Sequence, residues 1–130
     1  MTRINLIDPC ELCDQHLLAE HRELTRIPNA VAKGKFSLIG QPEDYKLGTG
    51  HVRFFFNKLS FLKKRYDLLH QECKARGFNV QYIWPDNLPE DKTLWLDYTP
   101  TEHALAANRA RILERMPTNA RFTSTKLQLK

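Results

Sequence analysis

An all-α fold is predicted by this sequence: one compact domain of three helices joined by long irregular connectors, with the N-terminal segment packed against the helices. Three observations carry that reading. Apolar residues recur at three- and four-residue steps within the stretches 8–31, 54–76 and 100–115. Those stretches carry helix start or stop chemistry at their ends. Alternating apolar and polar residues, the mark of a strand, form no run of useful length.

The first helix opens at Asp8-Pro9-Cys10-Glu11, which offers an N-cap acid, a proline at the first helical position and a glutamate three residues past the cap. Its periodicity runs to about Val31, and Pro28 is expected to kink the last turn or end it early. The next stretch, 33–49, holds Gly34, Gly40, Pro42 and Gly48 and reads as an irregular loop. In the second helix Phe55, Leu59, Leu62, Tyr66, Leu69 and Cys73 form one apolar stripe. Gly77 after Lys74 and Arg76 gives that helix a basic last turn and a left-handed stop. Residues 78–98 are non-periodic, with Trp84-Pro85, Leu88-Pro89 and Trp95, and the two tryptophans are expected to plug a core edge. Thr99-Pro100-Thr101-Glu102 opens the third helix, which continues to about Arg115 before Pro117 stops it.

A chain of 130 residues, 42% hydrophobic and 27% charged, can bury its own core and is not of the disordered class. No apolar run approaches the ~20 residues of a membrane span, and no signal-peptide layout occurs, so a cytoplasmic protein is expected. Three cysteines argue against a disulfide framework. The 20 basic residues outnumber the 15 acidic ones, for a net charge of +5. Residues 53–76 carry Arg53, Lys58, Lys63, Lys64, Arg65, Lys74 and Arg76. Residues 109–130 carry Arg109, Arg111, Arg115, Arg121, Lys126 and Lys130. Between these segments lie Asp86, Glu90, Asp91, Asp97 and Glu102. Two basic segments around an acidic connector suggest a positive face and a polyanionic partner; solvated helix faces would look the same.

Placing the first helix at about 100° per residue puts Leu17, Glu20, Leu24, Ile27 and Val31 on the packed face. His16 and Glu23 share one border of that face, and Arg22 and Arg26 occupy the next strip. A half-buried carboxylate beside guanidiniums keeps its charge and its place, and outward guanidiniums suit phosphate. Glu23 is therefore a candidate reactive group, or else a helix tie paired with Arg22, Arg26 or His16. Cys10-x-x-Cys13-x-x-His16 lacks a second ligand pair, and its nearest further candidate, His21, lies round the helix, so no metal is expected. Cys73 reads as core, and His51 in Gly48-Thr49-Gly50-His51 either approaches phosphate or caps its loop.

The blocks MTRINL, DQHLLAE and REL with Arg26, followed by GTGHVRFFFNKLSFLKKR and ECKARGFN, resemble one family. It is the pyrimidine-dimer DNA glycosylase and abasic-site lyase family of bacteriophage and bacteria. The likeness runs to about Asn79 with a shorter loop near 33–47, and resumes at Asp97-Tyr98 and through the third helix to Arg115. The resemblance implies a DNA repair glycosylase with β-elimination activity on UV-induced dimers and abasic sites, working without cofactor. The nucleophile would be the α-amine of Thr2, exposed once Met1 is removed; its pKa of about 7.7–8.0 leaves a useful neutral fraction near pH 7. Glu23 would be the essential carboxylate. Arg3, Arg22 and Arg26 would hold phosphates at the lesion, Gln15 and His16 would line the site, and Arg111 and Arg115 would meet the backbone. The partner implied is damaged double-stranded DNA, bound by a monomer that associates with the nucleoid during repair. The tail RFTSTKLQLK is poor in aromatic residues for the family, and His21, Thr25 and Tyr66 stand where it has a tyrosine, a proline and a glutamine. These departures leave two alternatives: an abasic-site lyase without dimer specificity, and a non-catalytic DNA-binding module.

Overall fold

Five α-helices make up the framework of residues 2–123, the part of the chain that the computed structural model describes. They are α1 (Asp14–Leu24), α2 (Arg26–Ala32), α3 (His51–Phe55), α4 (Leu59–Ala75) and α5 (Glu102–Glu114), with 3-10 turns at Pro9–Glu11 and Lys92–Leu94. Among the described residues the sole β feature is an isolated bridge between Lys58 and Trp95, so the all-α class holds. Met1, the tail from Ser124, and with it the basic Lys126 and Lys130, lie outside the described residues.

The three predicted helices are subdivided, and each division has a cause. Asp8 does cap a turn, its Oδ1 accepting from the Cys10 amide at 3.0 Å, but the turn is 3-10 and the chain then extends through Leu12 and Cys13. Arg76, reaching back from the end of α4, donates to the Pro9 carbonyl (3.1 Å), the Cys10 carbonyl (3.3 Å) and Asp14 Oδ1 (2.9 Å). Arg76 thereby pins the Pro9–Cys10 turn to the end of α4, the Pro9 carbonyl also accepting the Leu12 amide at 3.0 Å, and with Leu12 and Cys13 extended α1 starts at Asp14 instead of Pro9. The break at Thr25 belongs to Pro28, which has no N–H for the Leu24 carbonyl four residues earlier. The predicted helix over 54–76 begins early, at His51, and is cut at 56–58. There the 92–98 connector docks: Leu96 N–H donates to the Asn57 carbonyl at 3.0 Å, and Ser60 Oγ donates to the Trp95 carbonyl at 2.7 Å. Gly77, with φ of 88°, ends α4 as its sequence predicts. Thr101, not Thr99, caps α5, its Oγ1 accepting from the Ala104 amide at 3.0 Å.

One core joins these elements. Leu17 and Leu24 of α1, Ile27 and Val31 of α2, Phe54 and Phe55 of α3, Leu59, Leu62, Leu69 and Cys73 of α4, and Ala104 and Ile112 of α5 are all buried, with Ile4 and Leu12 of the N-terminal segment among them. Trp84 packs on Tyr66 with ring centroids 5.9 Å apart, and Trp95 packs on Trp84, so both tryptophans close the core edge as read. Burying those side chains from five helices is the main favourable term for this fold.

Two buried histidines make the fold acid-sensitive. Burial, and then the neighbouring His70, lowers the His21 pKa; burial also lowers that of His51, outweighing the Lys46 carbonyl that favours the charged form. The unfolded state, with histidine near its ordinary pKa of about 6.5, therefore binds more protons than the folded state as pH falls. Their contribution is complete above about pH 6.5 and is lost progressively below it, at up to about 1.4 kcal/mol per pH unit for each proton taken up. Urea midpoints measured from pH 7.5 to 5 are expected to fall, and His51→Phe is expected to flatten the dependence.

Candidate active site

The N-terminal segment runs extended across the molecule, and its backbone polar groups are met by side chains instead of a strand partner. Arg3 N–H donates to Glu23 Oε1 at 3.2 Å. Ile4 N–H donates to His51 Nε2 at 2.8 Å, and the Ile4 carbonyl accepts from the Tyr45 hydroxyl at 2.8 Å. Asn5 N–H and Nδ2 reach the two oxygens of Glu20 at 3.2 and 2.8 Å. Leu6 N–H donates to Asn108 Oδ1 at 2.7 Å, and Arg65 donates to the Ile7 carbonyl.

Glu20 is the reason the segment lies here. It sits in the middle of an apolar helical stripe, where a carboxylate must be paired. Arg65 of α4 supplies a bidentate partner, Nε to Oε2 at 2.8 Å and Nη2 to Oε1 at 3.0 Å, and Asn5 takes the remaining lone pairs. Asn108, four residues from both Ala104 and Ile112 on the buried face of α5, completes the chain by donating to Asn5 Oδ1 at 2.8 Å.

One turn along α1, Glu23 faces a cleft of about 340 Å³ lined by Arg3, Asn5, His16, Ala19, Glu20 and Arg115. Its side chain is 14% exposed, enough to touch a ligand and little enough to stay oriented. Arg22 lies against it with Nη2 3.6 Å from Oε2. A second recess of about 110 Å³ adjoins, lined by Thr2, Arg3, Gly48, His51, Val52 and Arg111, so Arg3 borders both. Burial and then the Arg111 and Arg115 guanidiniums lower the Arg3 pKa, the signature of cations converging on one place. Arg26 Nη1 lies 3.5 Å from Thr2 Oγ1. His16 Nε2 donates to the Arg115 carbonyl at 3.2 Å, which fixes that tautomer and leaves Nδ1 as a buried acceptor with no partner among the described residues. Such a surface, rich in guanidinium, with Glu20 tied to Arg65 and Glu23 left facing the cleft, fits a phosphate-bearing ligand and a reaction that builds positive charge.

Of the residues singled out in the sequence, Arg3, His16, Glu23 and Arg115 line this cleft, Arg22 lies against Glu23, Thr2 and Arg111 line the adjoining recess, and Arg26 contacts Thr2. Gln15 points elsewhere: its Nε2 donates to the Asn119 carbonyl at 2.8 Å and its Oε1 accepts from the Arg121 amide at 3.1 Å, clipping the C-terminal segment to α1. The 53–76 basic segment is largely spent within the fold. Arg65 and Arg76 are buried in ion pairs, Lys63 and Lys64 pair with Asp67 and Asp97, and Arg53 donates to the Ile39 carbonyl. The positive face is instead built from Arg3, α1, α2 and the end of α5. Sequence reading passed over Asn5, Tyr45, Asn108 and the buried role of Arg65; a charged residue inside an apolar stripe, Glu20, was the signal that buried partners must exist.

Residues 1–86 of the 130 match the model of a family described as pyrimidine dimer DNA glycosylase. The stretch takes in the N-terminal segment, α1 to α4, Glu23 and the arginines around it; Arg111 and Arg115 lie beyond it and reach the cleft through the packing of α5. With two thirds of its length matched, including the N-terminal segment and the helix that present the carboxylate, this chain belongs to the pyrimidine dimer DNA glycosylase family and is a DNA repair glycosylase acting on DNA.

Proposed function

We propose that this glycosylase is also an abasic-site lyase, and that both activities pass through one imine formed by the α-amine of Thr2. Removal of Met1 exposes that amine. At a dimer the neutral amine attacks C1′ of the deoxyribose, the base leaves with a proton, and the C1′–O4′ bond then breaks with O4′ taking a proton; at an abasic site the amine adds to the open aldehyde and water is lost. The resulting imine, protonated on nitrogen, acidifies the 2′ hydrogen. Loss of that proton and expulsion of the 3′ phosphate complete β-elimination, and water then releases the sugar fragment from the amine. Glu23 stabilises the cationic sugar and carries protons between these steps. Arg3, Arg22, Arg26, Arg111 and Arg115 neutralise phosphates around the opened lesion, and His16 lines the cleft.

The observation that carries this reading is the hydrogen bond from the Arg3 amide to Glu23 Oε1. It ties the chain to the carboxylate one peptide unit from the Thr2 nitrogen, on the wall of an arginine-lined cleft. Simple DNA binding requires neither the tie nor the half-buried acid. Borohydride added to the protein and an abasic duplex is expected to trap a covalent adduct, seen as an oligonucleotide-sized mass increase on the N-terminal peptide. Protein whose intact mass lacks Met1 and which still gives no adduct would return the chain to direct hydrolysis of the glycosidic bond, or to DNA binding alone. Running the same assay on a dimer-containing duplex separates the full activity from lyase action alone.

A further inference from the structure

His51 stands apart from the cationic cleft yet is wired to the start of the chain. Its ring is buried, edge-on to Tyr45 and to Phe55 at centroid separations of 5.3 and 5.4 Å. Nδ1 lies 2.8 Å from the Lys46 carbonyl and must carry the proton, so Nε2 is a bare acceptor, and it takes the Ile4 amide at 2.8 Å. The same ring lines the recess that holds Thr2, Arg3 and Arg111. Thr2 to Ile7 has no ladder to hold it, so its course depends on side-chain anchors taken one by one. Without His51, the chain N-terminal to Asn5 would keep the Tyr45 bond at Ile4, the Glu23 bond at Arg3 and the long Arg26 contact at Thr2. Glu23, whose Oε1 already takes the Arg3 amide, would then carry more of the positioning beside its proton handling.

We infer that His51 is a positioning residue for the reaction, setting through the Ile4 amide where the Thr2 amine meets the sugar beside Glu23. The inference rests on the reading of Thr2 as nucleophile. The arginines that grip phosphate come from α1, α2, α5 and Arg3, and apart from Arg3 none depends on the Ile4 amide. Loss of the His51 bond therefore acts chiefly on the chemical step and reaches DNA affinity only through Arg3. A misplacement of about 1 Å is enough to cost about 10²-fold in rate.

Two substitutions separate the ring's bonds. His51→Phe keeps an aromatic ring in the core and loses both; His51→Gln places an amide at the reach of Nε2 and can keep the Ile4 bond. In full-length protein confirmed by mass to lack Met1, single-turnover borohydride trapping on an abasic duplex is expected to slow about 10²-fold in His51→Phe. Duplex affinity by fluorescence anisotropy is expected to fall far less than the rate, hydrogen exchange at residues 2–7 to rise, and His51→Gln to recover most of the rate. If His51→Phe does not fold, His51→Asn carries the test, since its shorter amide reaches Lys46 but not Ile4 and should show the same loss. Wild-type rates in His51→Phe or His51→Asn, or rate and affinity falling together without rescue by glutamine, would overturn the positioning role while leaving the nucleophile intact. Wild-type protein that traps nothing would instead remove the nucleophile, and this role with it.

Discussion

Glu23→Gln is expected to lower strand cleavage at an abasic site by about 10²–10⁴-fold, the range lost when a proton-transfer group is removed, while the protein folds and binds duplex as before. The substitution keeps the shape and the acceptor: an amide oxygen can still take the Arg3 N–H that Glu23 Oε1 takes at 3.2 Å. It removes the charge that would oppose the growing cation on the sugar and the site that would take its proton. Stability should change little, because the Arg22 contact at 3.6 Å has a half-exposed guanidinium and such pairs contribute about 0–1 kcal/mol. Gel assays of cleavage, anisotropy of binding and a melting curve on the same preparation check all three parts. Undiminished cleavage would leave Glu23 as an anchor for the N-terminal segment and nothing more.

Arg65→Met should be the most destabilising single change outside the apolar core. Both partners of the Arg65–Glu20 pair are almost wholly buried, and the guanidinium also holds the Ile7 carbonyl. Removing one partner strands the other charge away from water, at about 3–5 kcal/mol. In a domain whose whole stability is of the order of 5–15 kcal/mol, that loss brings a Tm fall of roughly 10–20 °C. The double variant Glu20→Met/Arg65→Met should recover part of it. Recovery stays incomplete because Asn5 N–H and Nδ2 then lose the acceptor that Glu20 provides at 3.2 and 2.8 Å. Urea unfolding of the two single variants and the pair gives the coupling energy directly. A loss below about 1 kcal/mol for Arg65→Met would mean that water reaches the pair.

Helix ends show how far local chemistry reaches. Gly77 stops α4 where its sequence places the stop, and α5 starts two residues past the Thr99 its sequence offers, at Thr101 in the same capping stretch, since each cap is satisfied by atoms within a few residues. Asp8-Pro9-Cys10-Glu11 has equally good starting chemistry and fails to open α1, because Arg76, over sixty residues away, pins that turn and Asp14 to the end of α4 while Leu12 and Cys13 run extended. The break at 56–58 has a similar cause in the docking of Trp95 and Leu96. The cleft divides in the same way. Helical spacing alone puts Glu23 beside Arg22 and at the border of the packed face, and both placements hold in the fold. No spacing rule connects His51 to Ile4 or Asn108 to Leu6, which are separated by 47 and 102 residues.

By itself the sequence determined the helical class, the stripe each long helix buries, and the His16–Glu23–arginine order around the first helix, because side-chain periodicity and caps are local properties of the backbone. Tertiary structure decided which charges face outward. Arg65 and Arg76 are indistinguishable by composition from Arg111 and Arg115, yet the first two are enclosed with Glu20, Asp14 and Glu72 and the others border the cleft. It also decided the course of the N-terminal segment, whose backbone groups find their partners on α1, α3, α4, α5 and the 33–50 connector. A hydrogen bond needs its two groups within about 3 Å, and only the folded chain brings residues that far apart in sequence to that distance.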